Sequence, residues 1–440
     1  MTGPAVPSPT ELARRGAHVL YPDARRALAR LFLPGQEILG QGISRADAII
    51  ARVLGLTDEQ VLATSADVLS RFGDRHRDIG ATFAANYAHV EHRIPVSATL
   101  TLERRQLIGA CFTQEYTVEA AALFNPSIVA HPDQSGSAPG ELRFVMSLRA
   151  LGEGHLSSIE FRTGVIGPGE SIRLDEQTRF IETGQISSAT LDDYTVEFAA
   201  DHSLSERVIF PSHADESHGI EDARFTRFHA ADGSVTHYAT YTAFDGARIT
   251  PRLLHTDDFR TFGSTRLTGS GATDKGMALF PRQVAGRYLM LSRWDRESIS
   301  VVGSPDLRVW ADPVTIYRPS QPWELIQLGN CGAPIETTAG WLVLTHGVGP
   351  MRTYGIGAIL LDLDDPTRVI GTLQQPLLTP TDTERDGYVP NVVYSCGALV
   401  HRDTLVLPYG RSDSAVGFAF VAVPELVRTL LAAGPHSHNS

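Results

Sequence analysis

The strongest constraint on the fold is a run of short, β-rich segments that begins after Pro95 and continues almost to the end of the chain. Segments such as LRFVMSLRA, HYATYTAF and GWLVLTHGV are separated by Gly, Asp, Pro and Asn, with turn signals about every 8–12 residues. No helical pattern alternates with them, which argues against a parallel βαβ sheet. The stretch, about 320 residues, is too long for one sandwich. It fits a β-propeller of about five to six four-stranded blades.

The N-terminal part of the chain has a different pattern. The segments TELARRGAHVL, DARRALARLF and SRADAIIARVLGL place apolar residues three and four apart, which predicts helices. Ser44 and Thr57 stand at positions where they would cap two of these helices. The predicted organisation is therefore an α-helical N-terminal extension at 1–100, the all-β domain at 101–432 with a last helix in VPELVRTLLAAG, and a disordered tail at 433–440.

Composition excludes several classes of function. The net charge of −12 argues against a nucleic-acid-binding protein, which needs a basic surface. No apolar run reaches the length of about 18 residues that a membrane helix requires, so no membrane function is expected. The three cysteines, Cys111, Cys331 and Cys396, are far apart and form no CxxC pair, so neither a disulfide framework nor a thiolate zinc site is predicted. The N-terminus lacks a secretory apolar core, and a cytoplasmic enzyme is expected.

Lysine usage is unusual. Of the 38 basic residues, Lys275 is the one lysine, and the other 37 are arginines. Genomic composition accounts for the arginines but not for the exception. Lysine is a compact point charge on a flexible stem, whereas arginine is a planar fork. Two interpretations remain open: position 275 requires the smaller head group, or the single lysine is a product of drift.

Polar residues recur where the predicted strands meet loops. They occur in FNPS, GIEDAR, TDKG, SRWD, THGVGPMR, GYVPN and YGRSD, and they offer the groups that bind sugar hydroxyls and anions. Each also has a structural interpretation as a turn, a cap, a solvated charge cluster or a buried histidine. No HExxH, GxSxG or P-loop pattern is present, and no metal site is predicted.

The ordered set of FNPS, SLRA, GIEDAR, DKGMALFP, HG after GWLVLT, GYVPN and YGRSD resembles glycoside hydrolase family 130, the β-mannoside phosphorylases and related β-mannosidases. The resemblance covers roughly residues 110–430. It implies a five-bladed β-propeller with the active site in its central cavity, and it leaves the helical extension outside that core.

The resemblance also implies roles for individual residues. Asp222, in GIEDAR, would be the one catalytic acid of the protein, protonating the glycosidic oxygen through the mannosyl 3-hydroxyl. Inorganic phosphate would attack the anomeric carbon from the opposite face and produce mannose 1-phosphate. The residues expected to bind the sugar or to position the acid are Asn125, Ser127, Arg149, Glu221, Arg224, Tyr388 and Asp413.

The phosphate site departs from the family pattern. Arg293 and His346 match the family, but an expected Arg appears as Thr273 and an expected Lys as Gln327. The residues proposed to bind phosphate are Lys275, Arg293, His346 and Arg352.

Loss of cations is a property of the hydrolases in this family, in which water replaces phosphate and a carboxylate acts as base. Glu336 or Asp295 would then take that role.

The leading interpretation is an inverting β-mannoside phosphorylase that needs no cofactor, because phosphate is a co-substrate. Its partners would be a β-mannoside oligosaccharide and phosphate, and the helical extension would be an accessory or homo-oligomer-forming region. The alternatives are an inverting β-mannosidase on the same fold and a sugar-binding propeller without catalysis.

Overall fold

A computed structural model of the chain describes residues 12–35, 38–39, 43–96 and 98–435. These residues form two compact units. The helical unit comprises Asp23–Ala120 and Thr178–Ile181, and the sheet unit comprises the remaining described residues. The HSHNS end of the predicted tail lies outside the described residues.

The helices are α1 Arg45–Leu54, α2 Asp58–Phe72, α3 Ile79–Val90, α4 Leu102–Cys111 and α5 Val423–Ala433. The strands as far as residue 197 are β1 Ala13–Leu20, β2 Ala27–Leu31, β3 Ile38–Leu39, β4 Ile43–Ser44, β5 Thr113–Thr117, β6 Ala122–Ala130, β7 Leu142–Leu151, β8 Ser157–Ile166, β9 Ile172–Leu174, β10 Gln185–Ala189 and β11 Asp193–Glu197.

The later strands are β12 Val208–Ile209, β13 Ile220–His229, β14 Val235–Phe244, β15 Ile249–Thr256, β16 Thr261–Arg266, β17 Ala278–Leu279, β18 Tyr288–Ser292, β19 Ile299–Ser304, β20 Ala311–Tyr317, β21 Gln327–Asn330, β22 Ile335–Thr337, β23 Gly340–Gly349, β24 Thr353–Leu361, β25 Val369–Thr372, β26 Val393–Tyr394, β27 Leu399–His401, β28 Thr404–Arg411 and β29 Ala415–Ala422.

The sheet unit contains five antiparallel sheets of four to six strands. Sheet I consists of β6–β9 and β12, and sheet II of β10, β11 and β13–β16. Sheet III is β17–β20, and sheet IV is β21–β25. Sheet V combines β26–β29 with β1, so the first described strand of the chain pairs with the last one. The predicted all-β class is confirmed at this level.

Apolar clusters join these sheets in a closed sequence. Sheet I packs against II, II against III, III against IV, IV against V, and V against I. Most of the sheets therefore bury residues of both faces. β23, for example, is buried along its whole length, as a continuous apolar strand such as GWLVLTHGVG requires.

In the helical unit, the two predicted helix starts are confirmed. Ser44 accepts a hydrogen bond from the backbone N–H of Asp47 at the start of α1. Thr57 and Gln60 form the predicted capping box at the start of α2. The C-terminal helix in VPELVRTLLAAG is also present as α5. Among the described residues, no helix is both long and apolar enough to span a membrane.

Two predicted helices are wrong, because the segments TELARRGAHVL and DARRALARLF contain strands. Ala13–Leu20 is β1, which completes sheet V. Ala27–Leu31 is β2, which pairs with β5. The spacing of the apolar residues in both segments fits a helix as well as a strand. Pairing with a distant strand overrides a weak local preference for helix.

A further difference concerns the first residues after Pro95, where the β-rich run was expected to begin. The chain is helical from Leu102, because Thr101 caps α4 through a hydrogen bond from the backbone N–H of Arg104. The helical unit therefore extends past the expected boundary at residue 100.

Three turns after a Pro-Ser or Pro-Thr step share one arrangement. In each, a buried Glu three or four residues later accepts hydrogen bonds from the backbone N–H of the Ser or Thr and from a Tyr hydroxyl. The pairs, whose glutamates we call the turn carboxylates, are Glu216 with Tyr241, Glu324 with Tyr317, and Glu384 with Tyr409.

Candidate active site

A cavity of about 310 Å³ within the sheet unit gathers charged and hydrogen-bonding side chains. Nine of the twelve predicted site residues line it. The lining residues are Asn125, Arg149, Asp222, Arg224, Lys275, Gly276, Arg293, Gln327, His346, Arg352, Tyr354, Val392, Tyr394 and Asp413.

The edge strands of the five sheets supply much of this lining. β6, β13, β21 and β26 each stand at the edge of their sheet and carry Asn125, Asp222, Gln327 and Tyr394, respectively. Gly276 lies two residues before β17, the edge strand of sheet III. Each of the five sheets therefore has an edge strand at or next to the same cavity. The backbone of an edge strand has one side that pairs with no further strand.

Several lining residues have a left-handed backbone. The φ angles are 49° at Asn125, 55° at Asp222 and 50° at Asp413. The strand register shifts around the first two, so each lies in a bulge of its ladder. A left-handed non-glycine residue costs about 1–3 kcal/mol and persists only where the surrounding structure imposes it. Such bulges re-aim side chains, and here the residues that they contain line the cavity.

Asp222 is buried among hydrogen-bond donors and cations. Asn125 donates from Nδ2 to Oδ1 of Asp222 over 2.7 Å. Arg149 Nη1 lies 3.6 Å from Oδ1, and Arg224 Nη2 lies 3.8 Å from Oδ2. Burial acts to raise the pKa of Asp222, but these two arginines and Lys275 outweigh it and hold the pKa below its ordinary value. The carboxyl group of Asp222 is therefore ionised at neutral pH.

Arg224 forms a fixed part of the wall. It donates from Nε to the carbonyl oxygen of Cys331 over 2.9 Å and from Nη2 to the Tyr394 hydroxyl over 2.8 Å. A third bond runs from Nη1 to the backbone carbonyl of Asp222 over 3.1 Å. Because these bonds tie the guanidinium to neighbouring strands, Arg224 fixes the bulge that presents Asp222.

Glu221 does not line the cavity, although the sequence places it beside Asp222. It accepts a hydrogen bond from Arg149 Nη2 over 2.8 Å, and its other oxygen lies 3.5 Å from Lys275 Nζ. One carboxylate therefore holds two of the cations that face the cavity. The role expected for Glu221 in positioning Asp222 stays a prediction.

A second group of lining residues is suited to an anion. Arg293 Nη2 lies 3.4 Å from the Asp274 carboxylate, and Arg293 Nη1 lies 3.5 Å from His346 Nε2. Burial and the charge of Arg293 hold the pKa of His346 well below its ordinary value, so the imidazole is neutral. Arg352 is exposed and forms no hydrogen bond or ion pair with the described residues.

Asp413 is the second carboxylate of the cavity. Unlike Asp222, it has no hydrogen bond or ion pair with any residue in the described ranges. Burial and the nearby charge of Asp222 raise its pKa to about 7, against the opposing effect of Arg149 and Arg352.

Two predicted sugar-binding residues have other surroundings. Ser127 is fully buried, and its hydroxyl accepts a hydrogen bond from the backbone N–H of Phe225. Tyr388 is 45% exposed, and its hydroxyl lies 2.8 Å from Nδ1 of His155. Ser127 therefore joins two sheets instead of lining the cavity, and Tyr388 lies at the protein surface.

The two carboxylates named as bases for a hydrolase do not line the cavity either. Glu336 is paired with Arg282, with contacts of 2.7 and 2.9 Å. Asp295 caps a turn by accepting hydrogen bonds from the backbone N–H groups of Glu297 and Ser298. Neither is available to activate a nucleophile in the cavity.

The sequence analysis missed two tyrosines of the lining. Tyr354 and Tyr394 pack around His346, with ring centroids 6.2 and 4.8 Å from the imidazole. Tyr394 was hidden because it follows the GYVPN segment in an apolar run, where an aromatic residue is typical of a core. Gln327, noted only as a departure from the family, does line the cavity.

The charge of the lining is strongly positive. Five permanent cations, from Arg149, Arg224, Lys275, Arg293 and Arg352, face two carboxylates, although the whole chain carries a net charge of −12. A concentration of cations in the cleft of an acidic protein is typical of an anion-binding site. Across the described ranges, no group of three His, Cys, Asp or Glu side chains is arranged to hold a metal ion.

Comparison with known proteins gives a family and related enzymes. The profile of the family described as beta-1,4-mannooligosaccharide phosphorylase, glycoside hydrolase family 130, matches residues 176–431. The chain is 34% identical over 234 residues to the 1,2-beta-oligomannan phosphorylase of Thermoanaerobacter sp. strain X514, a match that covers 51% of this chain and 75% of that one. It is 32% identical over 202 residues to the beta-1,4-mannooligosaccharide phosphorylase of Ruminococcus albus, covering 43% of this chain and 60% of that one.

Among solved structures, the fold is similar to that of the beta-1,2-mannobiose phosphorylase from Listeria innocua in complex with beta-1,2-mannobiose. The TM-score is 0.53 at 22% identity, and the match covers 72% of this chain and 93% of that chain. At this level of identity the similarity concerns the fold.

Proposed function

Because the chain belongs to glycoside hydrolase family 130, we propose that it is an inverting β-mannoside phosphorylase, which cleaves β-mannosides with inorganic phosphate and releases mannose 1-phosphate. The observation that carries this proposal is the cavity lining, in which five permanent cations face two carboxylates. A site built for a neutral nucleophile such as water has no need of that excess. The related enzymes named above are phosphorylases of β-linked mannosides.

We also propose that the five sheets are the blades of a five-bladed propeller around this cavity. The support is their closed order of packing and the edge strand that each directs at the cavity. Completion of sheet V by β1 fits this arrangement, because pairing the chain ends within one blade closes a ring.

In the proposed reaction, Asp222 supplies the proton for the departing glycosidic oxygen. Its position in a bulge, held by Asn125 and Arg224, fixes the carboxylate toward the cavity. Arg149 and Asp413 remain beside it to bind sugar hydroxyls. The cations that depress the pKa of Asp222 would be partly neutralised by a bound phosphate, and the proton affinity of Asp222 would then rise.

Phosphate would be bound by Lys275, Arg293, His346 and Arg352. The arginines provide charge and paired donors, and the neutral imidazole provides one hydrogen bond. An inverting enzyme normally needs a second carboxylate as base to activate water. Phosphate arrives already charged, so this site needs no base. The positions of Glu336 and Asp295 outside the cavity agree with that.

The experiment is incubation of the protein with β-1,2-, β-1,3- and β-1,4-linked mannobiose, with and without phosphate, followed by product identification. We expect turnover that depends on phosphate and yields the α-anomer of mannose 1-phosphate. Free mannose released at the same rate without phosphate would identify a hydrolase. Binding of mannobiose without cleavage under any condition would identify a sugar-binding protein.

We also propose that the helical unit is an accessory region through which copies of the chain associate. Leu62, Leu69 and Leu102 are 56, 43 and 64% exposed on α2 and α4. Light scattering of the full chain and of a variant with these leucines replaced by Gln tests this role. A mass unchanged between the two would contradict it.

A further inference from the structure

The two carboxylates of the cavity differ in what surrounds them. Asp222 accepts a hydrogen bond from Asn125 and lies within 4 Å of two guanidinium groups. Asp413 is presented by a left-handed backbone from the end of β28 and has no hydrogen-bond or ion-pair partner among the residues described. Donors and cations therefore stabilise negative charge on Asp222 much more than on Asp413.

This difference raises a question about the proposed reaction. A proton has to reach the departing oxygen, yet the surroundings of Asp222 keep that group ionised at neutral pH. Two carboxylates that share one cavity cannot both ionise easily, and such a pair retains one proton between them. That proton settles on the member whose charge is less stabilised.

We propose that Asp413 holds the proton that the reaction consumes, and that Asp222 and Asp413 act as a pair that shares it. This inference rests on the proposed function. It assigns Asp413 more than contact with sugar hydroxyls, because the residue becomes the store from which Asp222 is supplied.

The groups around Asp413 support this assignment. Asp222 from sheet II raises the pKa of Asp413, as burial does, while Arg149 from sheet I and Arg352 ahead of β24 lower it, with a net value of about 7. The neighbouring Arg411 is occupied elsewhere, since its Nε lies 3.3 Å from the Glu384 carboxylate. Among the described residues, no cation forms an ion pair with Asp413, whereas two guanidinium groups lie within 4 Å of the Asp222 carboxylate.

The proton balance closes within one turnover. As a phosphate oxygen forms its bond to the anomeric carbon, the bond from that carbon to the leaving oxygen breaks, and one proton moves from the pair to this oxygen. The acceptor leaves as a neutral hydroxyl, and the pair is left without a proton. Hydrogen phosphate loses its own proton on becoming the dianionic sugar phosphate, and that proton restores the pair.

The test compares Asp413→Asn with wild type across pH. Because phosphate itself titrates near neutrality, the measured quantity is the ratio of variant to wild-type kcat/KM for the mannoside at saturating phosphate. With the pair intact, the supply of protons stays level up to pH about 7. Without Asp413, Asp222 alone must bind the proton, so we expect the ratio to fall about tenfold per pH unit between pH 5 and 7 and to level off above that.

Two further variants fix the interpretation. Asp413→Glu keeps a carboxylate and should give a ratio independent of pH. Asp382→Asn removes a carboxylate whose side chain is 99% exposed and should give a ratio of one throughout. A low but pH-independent ratio for Asp413→Asn would overturn the inference and leave Asp413 as a sugar-binding residue.

Failure of this inference is separate from failure of the proposed function. Absence of phosphate-dependent turnover in the wild type would refute the function. Turnover with a flat ratio refutes the shared proton alone. If Asp413→Asn does not fold, as judged by circular dichroism, the wild type still decides. After correction for the ionisation of phosphate itself, a wild-type kcat/KM that falls tenfold per unit from pH 5, instead of staying level up to pH about 7, would contradict a stored proton.

Discussion

Two groups of carboxylates in the sheet unit differ in their surroundings, the turn carboxylates and those that line the cavity. Each turn carboxylate is saturated with hydrogen bonds. Glu216, for example, accepts bonds from the hydroxyls of Tyr194 and Tyr241 and from the backbone N–H groups of Ser212 and His213. Asp413 accepts none within the described chain, and Asp222 accepts one from a side chain, from Asn125.

The difference separates stability from function. A saturated carboxylate stabilises one conformation and has no lone pair to offer a ligand. The cavity carboxylates are held by charge and by a strained backbone, so they can still exchange protons and bind hydroxyls. Substitutions should therefore act on folding in the turns and on turnover in the cavity, and variants in both regions test this division.

The largest effect is expected for Asp222→Asn. Removal of a general acid costs about 100- to 10,000-fold in rate, so kcat should fall by that amount while the melting temperature changes little. Steady-state kinetics and thermal unfolding measure the two quantities. The matched control is Glu336→Gln, which removes an exposed carboxylate outside the cavity and should keep wild-type turnover. Loss of activity in Glu336→Gln would instead support the hypothesis of a hydrolase in which Glu336 is the base.

The next largest effect is expected for Glu216→Gln, which should lower the stability of the protein and not its turnover. The amide places an NH₂ group among donors that need an acceptor, and a buried unsatisfied group costs about 1–3 kcal/mol, more where charge is involved. We expect a loss of about 3 kcal/mol in the free energy of unfolding, measured by urea denaturation, with kcat/KM of the folded protein unchanged. A drop in kcat/KM without a loss of stability would break the division between turns and cavity.

The turns also show what the sequence could and could not reveal. The all-β class followed from the spacing of strands and turns, and the ordered motifs pointed to the family and to nine of the cavity residues. The Pro-Ser and Pro-Thr turns were overlooked because no constant spacing marks them. The glutamate follows the Ser or Thr by three residues in one turn and by four in the other two. Their tyrosine partners lie up to 25 residues away along the chain.

Other features depended on long-range pairing. β1 was mistaken for a helix because its partner, β29, lies some 400 residues further along the chain, and no local pattern reports such a partner. Ser127 looked like a sugar ligand in FNPS, but the bulge at Asn125 turns it to the backbone of Phe225. A motif identifies the segment that reaches the cavity, whereas the backbone conformation decides which of its side chains faces in.

A smaller effect is expected for Lys275→Arg. The planar fork cannot occupy the place of the ammonium group beside Glu221, so we expect KM for phosphate to rise about tenfold with kcat nearly unchanged. Arg282→Lys is the matched control, because it makes the same exchange in reverse at an exposed pair with Glu336. Equal KM values in both variants would assign the single lysine to drift.

The lone lysine also allows a direct measurement of the site. An amine-selective reagent can modify one side chain in this protein, at Lys275, whose side chain is 41% exposed. Phosphate should slow this labelling, as followed by mass spectrometry of the peptide that contains residue 275. Sulfate at equal ionic strength controls for screening. Labelling at the same rate with and without phosphate would remove Lys275 from the phosphate site.

The smallest effect is expected on the stability of Asp413→Asn, as distinct from its turnover, and the sign of this effect distinguishes the cavity from the turns. The pKa of Asp413 is about 7 in the folded protein, against an ordinary value of 3.8. Between these values the folded state keeps a proton that the unfolded chain has lost, so stability falls as pH rises through this range. The asparagine variant avoids this penalty. We expect it to be about 1 kcal/mol more stable than wild type at pH 8, after allowance for partial solvent exposure, and no more stable at pH 4. Urea denaturation at the two pH values measures the difference.

Glu384→Gln, in a turn, is the matched control. It should instead be destabilised at pH 8, because the pKa of Glu384 is lowered in the folded protein and its ionised form is the stabilised one. A loss of stability at pH 8 in both variants would mean that Asp413 is as well satisfied as a turn carboxylate, and the contrast between the two regions would disappear.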